Sequence, residues 1–250
     1  MKKYLEQRIE WYDENYRQGS PLITDDQFDQ LERNLFKVAP NCDYFTNKKN
    51  LPLPSLPKVD IKEFIKGLLT DTRLLIEPKI YGCAIAIKFI DGKLDKAITR
   101  EGIDVSEKIK KIKSVPKEIK IRSSFMVRGE LFTTEEKQSQ SQRIANGYLR
   151  SGDYQPNPKI TFCAFQIINT KTNEYESLVH CRELGFTIPE FVEANRTSQV
   201  ELYRQAWLSG KLFSNYPTDG IVVKINSRKL QLIREKSNIN YPYWQIAIKF

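Results

Sequence analysis

The stretch Glu77-Pro78-Lys79-Ile80-Tyr81-Gly82 places a lysine between an acidic-proline step and a glycine, at the end of an apolar run. Two further lysines end apolar runs downstream, in Thr218-Asp219-Gly220-Ile221-Val222-Val223-Lys224 and in Ala247-Ile248-Lys249-Phe250. Lysines seldom lie in such surroundings unless they are paired or bind an anion. A nucleophilic lysine flanked by two lysines that neutralise phosphate charge would suit the transfer of a nucleotide.

Lys79 is the candidate nucleophile. To attack phosphorus its amine must be neutral, whereas a free lysine has a pKa of about 10.4. Desolvation and nearby cations lower that value, and Lys224 and Lys249 would do so if they converge on the same pocket. They would also offset the charge of a bound phosphate. The alternative is that three unrelated lysines simply end three strands.

Two carboxylates belong to the same pattern. Glu77 precedes Lys79 by two residues, so both side chains should face the same side of a strand. Glu130 lies in the apolar strand candidate Val127-Arg128-Gly129-Glu130-Leu131-Phe132, where a charge is costly unless it contacts a ligand, a metal or a cation. The alternative for Glu130 is an edge strand with a solvated face.

Hydrophobic alternation after residue 73 predicts strands separated by helices, hence an α+β fold with antiparallel sheets. Asp91-Gly92 predicts a hairpin turn between two of the strands. The predicted strands are 73–79, 83–90, 93–100, 125–132, 160–168, 220–226 and 243–250. The predicted helices lie near 134–149, 175–185, 197–209 and 227–236.

The first 38 residues predict a small helical hairpin appended to that sheet domain. Apolar residues recur at helical spacing over 2–18, and Gly19-Ser20-Pro21 ends the helix. Thr24 is expected to cap a second helix, with Gln27 completing a capping box. Residues 41–57 are rich in Asn, Lys and Pro and predict a linker. The predicted boundaries are 1–58 for the helical domain with its linker and 59–250 for the sheet domain.

The net charge of +9 favours a polyanionic partner. A run of basic residues over 108–122 is interpreted either as a solvated face or as a surface that faces nucleic acid. The four cysteines form no C-x-x-C pair, which argues against a zinc finger. No apolar run is long enough to span a bilayer, and the first residues lack a signal-peptide core, so a cytoplasmic location is expected.

Five segments resemble motifs of the NAD-dependent DNA ligases of bacteria, in the family's order and over nearly the whole chain. They are Glu77–Gly82, Thr99–Gly102, Val127–Glu130, Asp219–Lys224 and Trp244–Phe250. The resemblance implies a nucleotidyltransferase (adenylation) domain, in which Lys79 attacks the α-phosphorus of NAD, releases nicotinamide mononucleotide and retains AMP. AMP would then pass to the 5′-phosphate of nicked double-stranded DNA in replication and repair, with RNA as the alternative substrate.

The resemblance also assigns binding residues. Glu77 would recognise the adenine or orient the lysine, with Ser55 and Leu56 near the adenylate. Arg100 and Glu130 would contact the ribose and phosphate. Phe165 or Phe162 would stack on the adenine. Magnesium is expected at the phosphates, mostly coordinated by water; no protein residue is assigned as a metal ligand, and a monomer is expected.

The N-terminal hairpin makes the resemblance specific for NAD. Ile23-Thr24-Asp25-Asp26-Gln27-Phe28-Asp29 is similar to the segment of this family that binds the nicotinamide mononucleotide half. Its candidate binding residues are Tyr16, Asp25, Phe28 and Asp29. An aromatic face and two carboxylates suit a cationic nicotinamide ring. Without the resemblance, the two aspartates would be helix N-terminal acids favoured by the helix dipole.

Tyr81 is the main departure from the family, which has aspartate at this position. A phenol cannot replace a carboxylate that orients the lysine or holds a magnesium-bound water. Two alternatives to an active adenylyltransferase follow: a catalytically impaired pseudo-ligase that binds NAD or AMP, and a plain nucleic-acid-binding module built on the basic run at 108–122.

Overall fold

The computed structural model describes residues 2–17, 22–39, 42–44, 53, 56, 60–134, 138–152, 157–168, 170–237 and 244–249. The internal contacts of the chain divide it into two compact units, Met1–Pro54 and Ser55–Phe250. Most of the predicted linker at 41–57 lies outside the described residues.

The described part of the first unit includes the helices α1 (Lys2–Arg17) and α2 (Asp25–Val38). Ile9 of the first helix and Leu35 of the second are fully buried, so each amphipathic helix contributes its apolar stripe to a small core. The predicted capping box at the start of α2 is confirmed. The Thr24 hydroxyl accepts a hydrogen bond from the Gln27 backbone N–H, and the Gln27 side chain accepts one from the Thr24 N–H.

The second unit alternates eight strands with six helices among the described residues, and the predicted α+β fold is confirmed. Its strands are β1 (Leu74–Ile80), β2 (Cys83–Ile90), β3 (Lys93–Thr99), β4 (Phe125–Phe132), β5 (Thr161–Ile167), β6 (Val192–Ala194), β7 (Thr218–Ile225) and β8 (Gln245–Lys249). Its helices are α3 (Ile61–Ile65), α4 (Ser106–Ile109), α5 (Gln138–Arg150), α6 (Glu174–Glu183), α7 (Gln199–Leu208) and α8 (Arg228–Ser237).

Two antiparallel sheets organise these elements. The first sheet has the strand order β6-β1-β7-β8, and the second has the order β3-β2-β4-β5. The turn between β2 and β3 is the predicted one. Asp91 and Gly92 both have positive φ (49° and 79°), as a two-residue hairpin turn with the twist of its strands requires.

Each sheet carries its own apolar core on one face. Leu74, Ile76, Ile221 and Val223 belong to the core of the first sheet, together with Val200 of α7. The core of the second sheet contains the alternate residues Ile85 and Ile87 of β2 and Val127 and Leu131 of β4. Because successive strand side chains point to opposite faces, the residues between them point away from these cores. Those residues include most of the charged candidates.

The opposite faces of the two sheets meet. Lys224 of β7 donates a hydrogen bond to the carbonyl oxygen of Phe165 of β5, over 2.7 Å. Glu130 of β4 interacts electrostatically with Lys79 of β1. Polar and charged side chains of both sheets therefore meet in a region between them, here called the cleft, and each sheet is backed by apolar packing on its other face.

One basic residue of the predicted surface run is buried. Lys108 is 4% exposed, and its ammonium donates to the carbonyl oxygens of Tyr148 (2.8 Å) and Ser151 (2.7 Å). It therefore fixes the C-terminal end of α5. The interpretation of 108–122 as a uniformly solvated or nucleic-acid-facing run is wrong at Lys108, whereas Lys111, Lys113, Lys117, Lys120 and Arg122 are exposed or half-buried.

Candidate active site

Asp219 joins two of the three predicted lysines. Its Oδ1 lies 2.7 Å from the Lys79 ammonium nitrogen, and its Oδ2 lies 3.2 Å from that of Lys249. The three side chains are 23%, 15% and 28% exposed for Lys79, Asp219 and Lys249, so the group is accessible from solvent. This arrangement holds two cations beside one carboxylate at a place that an anion can reach.

Gly220 permits this geometry. It has a φ of 152°, and a Cβ at this position would overlap the carbonyl oxygen of Ile248 on β8. Gly220 pairs with Lys249 in the ladder between β7 and β8. The absence of a side chain therefore lets the two backbones approach closely beside Asp219, and this brings Lys249 to the carboxylate.

Burial lowers the pKa of Lys79, and the neighbouring Lys249 acts in the same direction. The carboxylate of Asp219 opposes the shift without reversing it. A lysine whose amine becomes neutral more readily is a better nucleophile. Asp219 holds the nitrogen of Lys79 in place through the hydrogen bond at 2.7 Å.

Glu130 lies on the facing sheet, within electrostatic range of Lys79, Asp219 and Arg100. Burial raises its pKa to about 7, although the cations of Arg100 and Lys79 oppose the shift. The Nε atom of Arg100 is buried and makes no hydrogen bond among the described residues. The structure thus brings together Lys79, Lys249, Glu130 and Arg100, and their roles in binding NAD stay predictions.

Lys224 lies elsewhere in the cleft. Its side chain is 2% exposed, and its ammonium nitrogen lies 2.8 Å from Glu77 Oε1 and 3.5 Å from Glu174 Oε2. The register explains the first pair: Glu77 opposes Val222, so Lys224 is its diagonal neighbour on the same face. The expected convergence of Lys224 with Lys79 is therefore corrected, because the buried carboxylates hold Lys224 beside Glu77.

The three charged groups of this cluster shift one another's pKa values. Burial raises the pKa of Glu77 and of Glu174, and Lys224 opposes both shifts. Burial alone would lower the pKa of Lys224, but the two carboxylates raise it, so the ammonium stays protonated. The cluster is an ion-paired group inside the protein.

Two aromatic residues were candidates for stacking on a base, and they differ in position. Phe162 is fully buried in the apolar core of the second sheet. Phe165 is half-buried, and its ring centroid lies 5.7 Å from the Lys224 nitrogen in the cleft. Phe165 is therefore the ring that a base in the cleft can reach.

A family model for the adenylation domain of NAD-dependent DNA ligases matches residues 60–250. The chain belongs to this family. The match covers every strand of the two sheets and all of the side chains described in this site.

Curated relatives agree with this family, and a solved structure shares the fold. The chain is 27% identical to a DNA ligase of Petrotoga mobilis and 28% identical to one of Mycoplasmopsis agalactiae; in both cases the match covers 100% of this chain, but 46% and 45% of the relative. The chain thus spans less than half the length of these curated relatives. A solved structure described as "Pmar-Lig_Pre." shares the fold, with a TM-score of 0.55 at 12% identity over 89% of this chain and 51% of the other.

Some residues predicted from the family resemblance are only partly described. Phe28 is half-buried in α2, and Leu56 is half-buried. The side chains of Tyr16, Asp25 and Asp29 and the whole of Ser55 lie outside the described residues. Their roles stay predictions.

Tyr81, at the family's aspartate position, directly follows β1. Its backbone N–H donates to the carbonyl oxygen of Pro217 over 2.6 Å, next to the start of β7. This bond ties the segment that carries Lys79 to the segment that carries Asp219. In this chain the motif has the phenol of Tyr81 instead of a carboxylate, but Asp219 supplies a carboxylate to Lys79.

Two charged residues of the cleft were not singled out as site residues from the sequence. Asp219 was noted only as part of a motif, and its position before Gly220 was the available signal. Glu174 directly follows the helix cap Asn173, a position where acidic residues are common because they interact favourably with the helix dipole. The local sequence therefore does not distinguish Glu174 from an ordinary residue of the first helical turn.

Two further findings concern the described residues only. None of their helices is long and apolar enough to cross a membrane. No group of three or more histidine, cysteine, aspartate or glutamate side chains among them is arranged to hold a metal ion.

Proposed function

We propose that the protein adenylates its own Lys79 from NAD, as the first step of DNA ligation. The observation that carries this proposal is the pair formed by Lys79 and Asp219 at 2.7 Å, in a cleft open to solvent and next to a second ammonium, Lys249. Membership of the adenylation-domain family of NAD-dependent DNA ligases supports the same reaction.

In this step the lone pair of Lys79 Nζ forms a bond to the α-phosphorus of NAD. The bond between that phosphorus and the bridging oxygen breaks, and nicotinamide mononucleotide leaves with the electron pair. The proton lost by the lysine passes to the hydrogen-bonded Asp219 or to solvent. Lys249, 3.2 Å from Asp219, stabilises the negative charge that develops on the phosphoryl oxygens.

The site offers two carboxylates to a magnesium ion. Asp219 and Glu130 are the carboxylates near Lys79, and Mg²⁺ is commonly held by one or two carboxylates together with phosphates and several waters. Asp219 and Glu130 would hold the ion, in part through water. When bound, the ion would supply charge neutralisation at the phosphates.

The other predicted residues complete the binding of NAD in this proposal. Glu77 and Lys224 face the base on which Phe165 stacks, and Arg100 lies near the phosphates and the ribose. In the helical unit, Tyr16, Asp25, Phe28 and Asp29 bind the nicotinamide mononucleotide half. Opposite charge and aromatic faces favour that cationic ring.

The later steps follow from the same proposal. AMP passes from Lys79 to the 5′-phosphate of nicked double-stranded DNA, and a 3′-hydroxyl then displaces it. The net charge of +9 supports a polyanionic substrate. We place the protein in the cytoplasm, in keeping with four buried, unbridged cysteines, Cys42, Cys83, Cys163 and Cys181.

The mass of the intact protein after incubation with NAD and magnesium tests the proposal, with ATP in a parallel sample. We expect a gain of one AMP with NAD only. Lys79→Ala should abolish the gain, whereas Lys88→Ala should not, because Lys88 pairs with Asp95 outside the site, at 3.8 Å. No gain with the wild-type protein, despite measurable binding of AMP, would mean a binding protein without turnover.

A second experiment tests the helical unit. Asp29→Asn removes a carboxylate proposed to bind the cationic ring. We expect a higher KM for NAD in lysine adenylation and unchanged binding of AMP, which lacks that ring. Glu10→Gln, an exposed position on α1, is the control with the same change of charge. Equal KM values for the two variants would remove Asp29 from the NAD site.

A further inference from the structure

Lys224 faces three oxygen atoms, two of which belong to carboxylates. An ammonium group has three hydrogen-bond donors. Its nitrogen lies 2.7 Å from the carbonyl oxygen of Phe165, 2.8 Å from Glu77 Oε1 and 3.5 Å from Glu174 Oε2. Two carboxylates thus share one ammonium inside the protein.

A second side chain, that of Gln231, fixes the position of Glu174. The side-chain amide of Gln231 donates to Glu174 Oε1 (3.3 Å) and to the carbonyl oxygen of Ile225 (2.8 Å). Glu174 is also the first residue of α6, directly after its cap, Asn173. The carboxylate is therefore held by Gln231 of α8, which is anchored to the end of β7, and it lies at the start of α6.

Each carboxylate has one buried oxygen beside Lys224 whose hydrogen bonding is incomplete. Glu77 Oε1 (2.8 Å) and Glu174 Oε2 (3.5 Å) both lie near the ammonium, but neither accepts a well-oriented hydrogen bond from the described residues. Buried acceptors without donors are costly, and buried surplus charge is more so. A hydrogen-bond donor of a ligand would satisfy one of these oxygens, whereas another acceptor would not.

We propose that Glu174 is a positioning residue for the choice of base: it shares Lys224 with Glu77 and so keeps a Glu77 oxygen available to the amino group of a 6-aminopurine. A 6-oxopurine would present a carbonyl oxygen to the same carboxylates and would be rejected. This inference rests on the proposed function, because the purine is that of the adenosine half of NAD.

The role of Glu174 follows from competition for one cation. When both carboxylates are present, Glu174 competes with Glu77 for the Lys224 ammonium. The Glu77 oxygen is then less neutralised and remains a strong hydrogen-bond acceptor. With glutamine at position 174, the ammonium pairs with Glu77 alone and weakens it as an acceptor. The loss falls mainly on the 6-aminopurine, since its amino group donates to that oxygen, whereas the oxygen at C6 of a 6-oxopurine is an acceptor and gains nothing from it.

The test compares the binding of AMP and IMP by calorimetry to the wild type, Glu174→Gln and Glu183→Gln. Glu183 lies at the exposed end of the same helix, so its variant has the same change of charge. We expect the wild type and Glu183→Gln to prefer AMP, and Glu174→Gln to lose about tenfold of that preference through weaker AMP binding. In adenylation, Glu174→Gln should raise the KM for NAD and leave kcat within about threefold.

Three results would overturn the inference: a wild type that does not prefer AMP, a Glu174→Gln variant with the full preference, or equal losses for AMP and IMP. If Glu174→Gln does not fold by circular dichroism, Glu174→Asp decides. It keeps the charge, but its carboxylate is one methylene shorter, so a partial loss of preference is expected and an unchanged preference contradicts the role. A wild type that prefers AMP but is not adenylated defeats the proposed function alone.

Discussion

Two lysine–carboxylate groups lie in one cleft of the protein, and they differ in solvent access. Lys79 and Lys249 share Asp219 and are about one quarter exposed, whereas Lys224 shares Glu77 and Glu174 and is 2% exposed. The accessible group has more cations than carboxylates, and the buried group has more carboxylates than cations. The first is suited to receive an anion, and the second is suited to receive hydrogen-bond donors.

The largest effect is expected from breaking the buried group. Lys224→Ala leaves two buried carboxylates without their cation, which should lower the free energy of unfolding by about 3–5 kcal/mol. Lys110→Ala is the matched change at an exposed pair, with Glu107 at 2.7 Å, and should cost less than about 1 kcal/mol. Urea unfolding measures both. Similar losses for the two variants would mean that the buried cluster is no more important for folding than a surface pair.

Breaking the accessible group should affect chemistry more than stability. Asp219→Asn removes the carboxylate that holds Lys79 and Lys249, and we expect the rate of lysine adenylation to fall by about 100- to 1,000-fold, as for other lost electrostatic partners at active sites. Asp95→Asn, at the exposed pair with Lys88, is the control. Single-turnover mass measurements would decide, and a fall below tenfold would exclude an orienting role for Asp219.

The pH dependence of stability sharpens the comparison at Glu130. Its pKa of about 7 in the folded protein exceeds the ordinary value of 4.5, so the folded state binds the proton more tightly. Below pH 4.5, Glu130 contributes up to about 3 kcal/mol to the free energy of unfolding, and this contribution is lost as the pH rises to 7. Glu130→Gln should remove that part of the slope in unfolding measured from pH 4.5 to 8. Parallel curves for wild type and variant would contradict the shift.

The smallest effect concerns Tyr81. Because Asp219 already supplies a carboxylate to Lys79, Tyr81→Asp should raise the adenylation rate by less than about tenfold. Tyr81→Phe serves as the variant without an added charge. A rise of several hundredfold with aspartate would show that Asp219 does not take over the role of the missing carboxylate, and would favour a pseudo-ligase as the natural state.

Local patterns predicted much of the fold. β2 and β4 were predicted to the residue, because each alternates regularly and has clear ends. The edge strand Val192–Ala194 was missed, since three residues carry too little periodicity to be recognised. Helix Ser106–Ile109 was missed for the same reason.

The sequence predicted the site residues that lie within recognisable motifs, but not the contacts between side chains that come from distant parts of the chain. Lys79, Glu77 and Asp219 stand in recognisable segments. The partner of Lys224, in contrast, depends on the register of β1 against β7, and Glu174 reaches it from a helix about 50 residues away in sequence. The buried position of Lys108 was hidden by the other lysines around it, which gave the stretch the composition of a solvated surface.

In the proposed reaction, the sharing of Asp219 between two lysines would favour the forward direction. Before the reaction, two ammonium groups surround one carboxylate, and these three side chains have a net charge of +1 that attracts a dinucleotide. Once Lys79 is a phosphoramidate, its own charge is gone and a phosphoryl oxygen has brought a negative charge, so the same place has a net charge of −1. In this proposal the group that attracts the dinucleotide would repel the anionic mononucleotide after its release, and the change of sign would oppose rebinding of that product.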